Sequence, residues 1–584
     1  MTQTQSIFKL FHQLWLHLSK GRHHQILLLL LLMVLSSLME VMSIGSILPF
    51  LGALASPARV FDSPVMAPFI RLMNINSPDQ LLLPLTITFI ALVSISNITR
   101  ACFLWLSTKL SFATGADLSV RMYRQTLHQS YSALCSRNTS AVINDIAVKG
   151  NEVIYNILYP ALTLISSAIT LAATLCLFLA LNPTITIAIF GGFGILYLAV
   201  VRFTQKRLVG DGKIIARQHG QIIKVLQEGL GGIRDVLLDG TQDLHIRKFE
   251  EVDSPLRKAQ GVHAFIAQAP RYGIEGLGMI FIALLAYYLS IQPEGIMGAI
   301  PLLGLLAIGA QRFLPVMQQA FGSWTLIKGH QTTLSDVLTV LDLPVNDVIH
   351  SNFKKMPFKF SINIRALNFC YREGSAYVLH DINLEIKKGS RVGFMGTTGS
   401  GKSTLIDLLM GLLEPTSGVL EVDGISIWPD NQRSWQDNIA HVPQNIFLSD
   451  STIEENIAFG VAKEEINYEL VRQVAIQAQI AETIEGFDGK YKTLVGERGV
   501  RLSGGQRQRI GIARALYKKA NIIIFDEATS ALDGETESAV MQAIDNLSAD
   551  LTVIIIAHRI STLSNCSQII ELSEGRVKNI TIKS

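Results

Sequence analysis

Charge is scarce in this 584-residue chain, where Asp, Glu, Lys and Arg together supply 17% of the residues. Soluble domains devote about a quarter of their residues to those four types. A mean hydropathy of +0.34 is accordingly too apolar for an ordinary soluble enzyme of this length. Cysteine is sparse as well. Cys102, Cys135, Cys176, Cys370 and Cys566 show neither C-x-x-C spacing nor a nearby histidine cluster, so they read as reduced, buried or incidental thiols. Internal repeats, low-complexity tracts and long Pro/Gly linkers are missing. The net charge of +3 points to no particular partner, and no nucleic acid is expected.

Long apolar runs crowd the chain before about residue 325. A helix needs roughly 20 apolar residues to cross the hydrocarbon core. Six runs qualify: Ile26 to Leu54, Leu81 to Leu106, Ile154 to Leu181, Thr184 to Val201, Phe265 to Leu289 and Ile296 to Phe313. Lys and Arg collect before the first run, between the second and third, and after the fourth, while Asn182-Pro183 and Gln292 to Gly295 hold none. Basic residues accumulate on the cytoplasmic side, so both termini are expected there. Ile7, Leu10, Phe11, Leu14 and Leu18 recur at helical spacing, which suggests an N-terminal helix lying along the membrane, an ordinary first helix being the alternative. The polar stretches from about Leu110 to Val153 and Arg202 to Gln260 are rich in helix formers and too long for turns. Membrane helices therefore continue into the cytoplasm, with bends near Arg137 to Ser140 and Gly229 to Gly232.

After Phe360 the pattern changes to short alternating strand-like and helix-like segments. Gly396, Thr397, Thr398, Gly399, Ser400, Gly401, Lys402, Ser403 and Thr404 spell G-x-x-x-x-G-K-S-T between an apolar strand-like run and a helix-like run. Such a loop turns backbone N–H groups toward phosphate oxygens, sets Lys402 beside the outer phosphates and offers Ser403 to Mg²⁺. Two further apolar runs end in Asp526-Glu527 and in His558. Ligands of parallel α/β sheets bind beyond the carboxyl ends of strands, so all three groups should converge. Asp526 is placed to hold Mg²⁺ and Glu527 to polarise the attacking water, a solvated acid pair being the alternative. His558 would position the γ-phosphate or serve as a structural histidine.

The ordered set, completed by Gln444 and by Leu502, Ser503, Gly504, Gly505 and Gln506 (LSGGQ), resembles the nucleotide-binding domain of an ABC transporter. The resemblance implies that LSGGQ binds the γ-phosphate of ATP held on the opposite subunit, through glycine N–H groups and a helix N-terminus. It further implies that Tyr371 stacks on adenine, that Gln444 contacts Mg²⁺ and that Ser530 to Asp533 cross a dimer contact. The expected fold is multi-domain, an all-α membrane domain with six transmembrane helices plus an α/β P-loop nucleotide-binding domain. Its parts should be a transmembrane domain over residues 1–345 and an ABC ATP-binding domain over residues 356–584. Glu527, His558 and Gln444 are the expected catalytic set, ATP and Mg²⁺ the ligands. The implied protein is a homodimeric half-transporter of the exporter type in a bacterial inner membrane, its ATPase domain cytoplasmic.

Cargo is carried by other residues. Ionisable side chains within apolar spans default to functional roles, and here they are Glu40, Arg100, Arg271, Glu275 and Arg312. Arg100, Arg271 and Arg312 would lie at comparable depth and suit a phosphate or diphosphate, or else pair with Glu40 and Glu275. EVMSIGSILPFL, QAPRYGIEGLG and QEGLGGIRDV resemble exporters that flip lipid-linked oligosaccharides, which implies a polyprenyl diphosphate-sugar as cargo. Export of drugs, other lipids or peptides is the alternative within the class, and an ATP-gated channel or regulator the alternative outside it. In that family an external helix occupies the place of Ser56 to Pro78, where a plain loop is the other possibility.

Overall fold

The computed structural model describes residues 6–181, 183–290, 295–344, 354–372, 374–527, 534–545, 550–557 and 563–583. The chain divides into two compact units, Met1–Gln129 with Arg137–Val345, and Ser130–Ser136 with Asn346–Ser584. The helix Tyr131–Cys135 thus groups with the second unit although the chain enters and leaves it from the first.

Every described element of the first unit is helical. Its principal helices are Lys20–Gly45, Leu82–Leu127, Tyr159–Leu181, Pro183–Gly231, Gln242–Ser290 and Gly295–Gly329. Each of the six apolar runs falls on helices, the first being divided at Ser46. Among the described residues, Lys20–Leu54, Pro78–Leu127 and Thr139–Ala180 are long and apolar enough to cross a membrane. The 46 residues of Leu82–Leu127 and the 49 of Pro183–Gly231 give rods of about 70 Å at 1.5 Å per residue. That is more than twice a hydrocarbon core of about 30 Å, so each is longer than a crossing requires.

Breaks fall where Asn, Ser and Gly cluster. Asn138 caps the short helix Thr139–Ile143 through its side chain, and Gly232 separates Pro183–Gly231 from Ile233–Leu238. Between the first two spans the chain forms the helices Pro57–Phe61 and Ala67–Leu72. Small residues let helices close up: a Cβ on Gly212 would lie 1.8 Å from the carbonyl oxygen of Gly329.

The N-terminal helix Ile7–His17 differs from the membrane-surface expectation. Its Leu10 and Leu14 are 1% and 3% exposed and pack with Leu118, Met122, Ile327 and Leu334. The apolar stripe is therefore spent on protein contacts, leaving Phe8 and Leu16 exposed.

The second unit holds two sheets. Strands β1 (Ser361–Phe369), β2 (Leu379–Lys387), β4 (Ser417–Val422) and β5 (Ile425–Ser426) form an antiparallel sheet in the order β2-β1-β4-β5. Strands β3 (Arg391–Gly396), β6 (Ile439–Val442), β7 (Ile522–Asp526), β8 (Thr552–Ile556), β9 (Gln568–Ser573) and β10 (Arg576–Ile582) form the other, ordered β10-β9-β3-β8-β7-β6. All its pairings are parallel except β9 with β10. The run IIIF in β7 is apolar at every position because both faces are covered. Ile522 and Ile524 enter one core cluster with Phe394, Leu405 and Leu420, while Ile523 and Phe525 enter another with Val471, Ile510 and Ala513. Each such side chain contributes roughly 1.5–3 kcal/mol on burial.

Candidate functional site

Parallel strands end together, and register carries the candidate residues to one edge. Phe394 pairs with Ile556, Asp526 with Ile556, and Phe525 with Val442. The carboxyl ends of β3, β8, β7 and β6 therefore lie side by side, followed by the phosphate loop, by Ala557, by Glu527 and by Gln444. His558 and Ser530 to Asp533 fall outside the described residues.

Glycine is required in the loop for two separate reasons. A Cβ on Gly396 would sit 2.3 Å from the carbonyl oxygen of Leu572, and Gly401 holds φ at 95° with a Cβ position 2.7 Å from Leu379. Gly399 also adopts positive φ, at 83°. The helix Lys402–Leu409 starts directly after, so its first free N–H groups face the loop, a ready cradle for phosphate oxygens. Lys402 is buried and donates to the carbonyl oxygens of Gly396 at 2.7 Å and Thr397 at 3.0 Å. Burial pulls its pKa below the ordinary lysine value, and the charges of Glu527 and Asp526 resist that shift. Ser403 is exposed beside it, and Thr404 is buried. Tyr371 is 56% exposed, stands edge-on to Phe369 and shares a hydrogen bond with the Thr404 hydroxyl at 3.0 Å. Its ring is thus tied to the phosphate-loop helix while more than half of the residue stays exposed.

Gln444 meets Glu527 across the ends of β6 and β7, its Nε2 donating to Oε2 at 2.6 Å. The backbone of Glu527 lies in the left-handed region, at φ 49°, and its N–H donates to the Ile556 carbonyl. Such a conformation costs a non-glycine residue about 1–3 kcal/mol and is typical of functional positions. The pKa of Asp526 is raised, first by burial and then by the Glu527 charge, with Lys402 acting in the opposite direction. Asp526, the Ser403 hydroxyl and the Gln444 amide are hard oxygen donors of the kind Mg²⁺ takes. Two adjacent carboxylates, one raised by the other, are the charge balance a divalent cation corrects.

LSGGQ stands at the start of the helix Gly504–Tyr517. Ser503 accepts from the Gln506 N–H at 3.2 Å, and Gln506 Oε1 accepts from the Ser503 N–H at 2.8 Å. This reciprocal cap fixes the glycine-rich turn. Leu502 anchors it by burial, while Gly504 and Gly505 occupy the first helical turn.

Two residues were missed in reading the sequence. Asp407, in the helix after the phosphate loop, has its pKa pushed up to about 6 by burial and then by the Asp526 charge. Arg514, in the signature helix, donates to the carbonyl oxygens of Asn456 and Phe447 at 2.9 and 3.0 Å and lies 4.5 Å from the Phe459 ring centre. Burial lowers its pKa to about 10. An arginine and an aspartate at apolar helical positions were the available signal.

Two of the membrane-unit candidates have carboxylate partners. Arg100 reaches Glu40 at 3.5 Å, Arg271 is paired with Glu275 at 2.7 Å, and Arg312 is half-buried. Pairing within the protein thus accounts for two of the three arginines.

Comparison with known proteins agrees with both units. The family model described as ABC transporter transmembrane region matches residues 26–294, and that described as ABC transporter matches residues 379–530. An ATP-dependent lipid A-core flippase of Chromobacterium violaceum is 33% identical over 65% of this chain, a match spanning 64% of that relative's length. One of Legionella pneumophila is 32% identical over 71% of this chain and 68% of its own. A solved bacterial Atm1-family ABC exporter with ATP bound superposes with a TM-score of 0.75, covering 96% of this chain and 95% of its own at 22% identity. The last likeness carries the exporter fold. On motifs, fold and these relatives, the chain belongs to the ABC transporters, as an integral membrane, ATP-hydrolysing transporter with its transmembrane and ATP-binding regions on one polypeptide.

Proposed function

We propose that two copies of this chain form an ATP-driven flippase for a lipid-linked saccharide in a bacterial inner membrane, with both termini cytoplasmic. The observation that carries the ATPase half is the meeting of Gln444 with Glu527 beside Asp526 and the phosphate loop. Glu527 is the group that accepts the proton of the attacking water. Gln444 holds that carboxylate in place, and Lys402 offsets charge on the outer phosphates. Ser403, Gln444 and Asp526 would hold Mg²⁺, which would supply positive charge against the phosphates. Tyr371 would stack on adenine, and His558 would position the γ-phosphate.

LSGGQ, with its N–H groups at a capped helix start, has no phosphate of its own to meet in the reading of the motifs, so a second copy supplies one. The transmembrane region 1–345 would then enclose the path and the ATP-binding region 356–584 would drive it. The cargo reading is supported by relatives named as lipid A-core flippases and by the ionisable residues Glu40, Arg100, Arg271 and Arg312 in apolar helices. With Arg100 and Arg271 engaged by carboxylates, Arg312 is the arginine left for a phosphate in this reading.

The test is flipping of a fluorescent polyprenyl diphosphate-sugar in proteoliposomes containing the purified protein. Arg312→Ala is expected to slow flipping about tenfold, the loss of one charge-assisted contact of about 1.5 kcal/mol. Unaltered flipping in that variant would remove Arg312 from the path.

A further inference from the structure

Inside the first unit, helices Lys20–Gly45, Leu82–Leu127, Tyr159–Leu181 and Gly295–Gly329 surround a cavity of about 380 Å³. That lies within the roughly 300–1,000 Å³ of small-ligand sites. Its lining is mixed, with polar side chains contributed by all four helices. Ser36, Asn97, Ser166, Ser167, Thr170 and Gln319 all face it. Glu40 and Arg100 add the charged groups, and Ala101, Phe103, Leu104 and Val316 are the apolar part of the lining.

Glu40 is 5% exposed, an expensive place for a carboxylate. Its guanidinium partner comes from another helix, 60 residues away, and approaches only to 3.5 Å. By contrast, Arg271 and Glu275 sit one turn apart on a single helix and close to 2.7 Å. The local pair neutralises itself on one helix; the long pair joins two helices, and both of its members line the cavity, Arg100 with the more exposed head at 43% against 6% for Glu40.

Ligand chemistry follows from the donors and acceptors. The Arg100–Glu40 pair cancels in charge, so a diphosphate entering here would gain no net cation and would face a carboxylate. Hydroxyl and amide side chains both donate and accept, and Glu40 accepts. A sugar ring presents hydroxyls that also do both. We infer that this cavity binds the uncharged, hydroxyl-rich headgroup of the cargo, with Glu40 and Arg100 as the bidentate ends of the site. The inference rests on the lipid-linked saccharide reading and adds to it a place for the sugar.

The test uses the full-length protein in phosphatidylcholine nanodiscs and two probes, a polyprenyl diphosphate carrying one hexose and the same lipid without it. Wild type should prefer the glycosylated probe by about tenfold or more, because sites built for hydroxyls reject analogues that lack them. Thr170→Val and Gln319→Leu, near-isosteric changes, should each cut that preference about threefold to tenfold, the worth of one neutral hydrogen bond. Their affinity for the bare lipid should move less than twofold. A wild-type-only measurement guards against misfolding: a diazirine on the sugar should label peptides containing Ser166 to Thr170 or Gln319. Equal loss for both probes, an undiminished preference, or labelling confined to other peptides overturns the sugar site while leaving the flippase reading standing. A wild type that binds neither probe overturns both.

Discussion

Gln444 and Glu527 are 83 residues apart in sequence and 2.6 Å apart in space, and their contact states the chemistry of the site most compactly. Glu527→Gln keeps the shape and removes the base, so ATP should still bind while hydrolysis falls about 10²–10⁴-fold, the usual worth of a positioned general base. Steady-state turnover beside nucleotide affinity checks this, and near-normal turnover would dismiss Glu527 as the base. Asp407 supplies a pH signature. Its carboxyl is raised from 3.8 to about 6, so the folded state holds a proton that the unfolded chain releases earlier. That contribution is fully present below pH 3.8 and is lost as pH rises through about 6. Asp407→Asn should therefore flatten the fall in unfolding midpoint across that window; an unchanged slope would place its origin elsewhere. The motif residues were legible because each chemistry-bearing side chain follows a strand end or a glycine turn. Asp407 and Arg514 were not, since their roles depend on burial and on partners far along the chain. Arg100 was legible as an ionisable residue with two readings, and its contact with Glu40 on a separate helix favours the internal pairing.

Strands, turns and helix starts set these side chains. The wholly apolar IIIF of β7 announces a strand covered on both faces, and its alternation between two clusters delivers Asp526 and Glu527 to the sheet edge. At Gly396 the obstacle to any side chain is backbone, the Leu572 carbonyl, which cannot rotate away. Gly396→Ala should thus displace the loop and weaken ATP binding by tenfold or more, about 1.4 kcal/mol, and unaltered nucleotide affinity would show that the loop tolerates the shift. Ser503→Ala removes one side of the reciprocal cap and should lower stability by about 1 kcal/mol, read as a reduced unfolding midpoint. The existence of the long helices and their breaks at Asn138 and Gly232 was readable from composition. The destination of the N-terminal stripe was not: helical periodicity says that Leu10 and Leu14 share a face, but the same face suits lipid or protein, and tertiary contacts with Leu118 and Met122 decide.

At the scale of the whole molecule, the proposed account joins an apolar helical unit to an ATPase unit whose signature helix awaits another copy's nucleotide. Fold class followed from the shift between long apolar runs and short alternating segments; of the ion pairs in the apolar helices, Arg271–Glu275 follows a local i,i+4 pattern, while Arg100–Glu40 depends on how two helices pack. Hydrolysis and lipid movement should rise and fall together. The most direct measurement is ATP-dependent flipping of a fluorescent polyprenyl diphosphate-sugar in proteoliposomes, wild type beside Glu527→Gln, with a drug and a phospholipid as competing cargo. The account predicts that wild type flips the sugar lipid when ATP and Mg²⁺ are supplied, in preference to the competitors, and that Glu527→Gln does not. Sugar-lipid flipping that continues unabated in Glu527→Gln, or a wild type that moves only the drug or phospholipid, would contradict it.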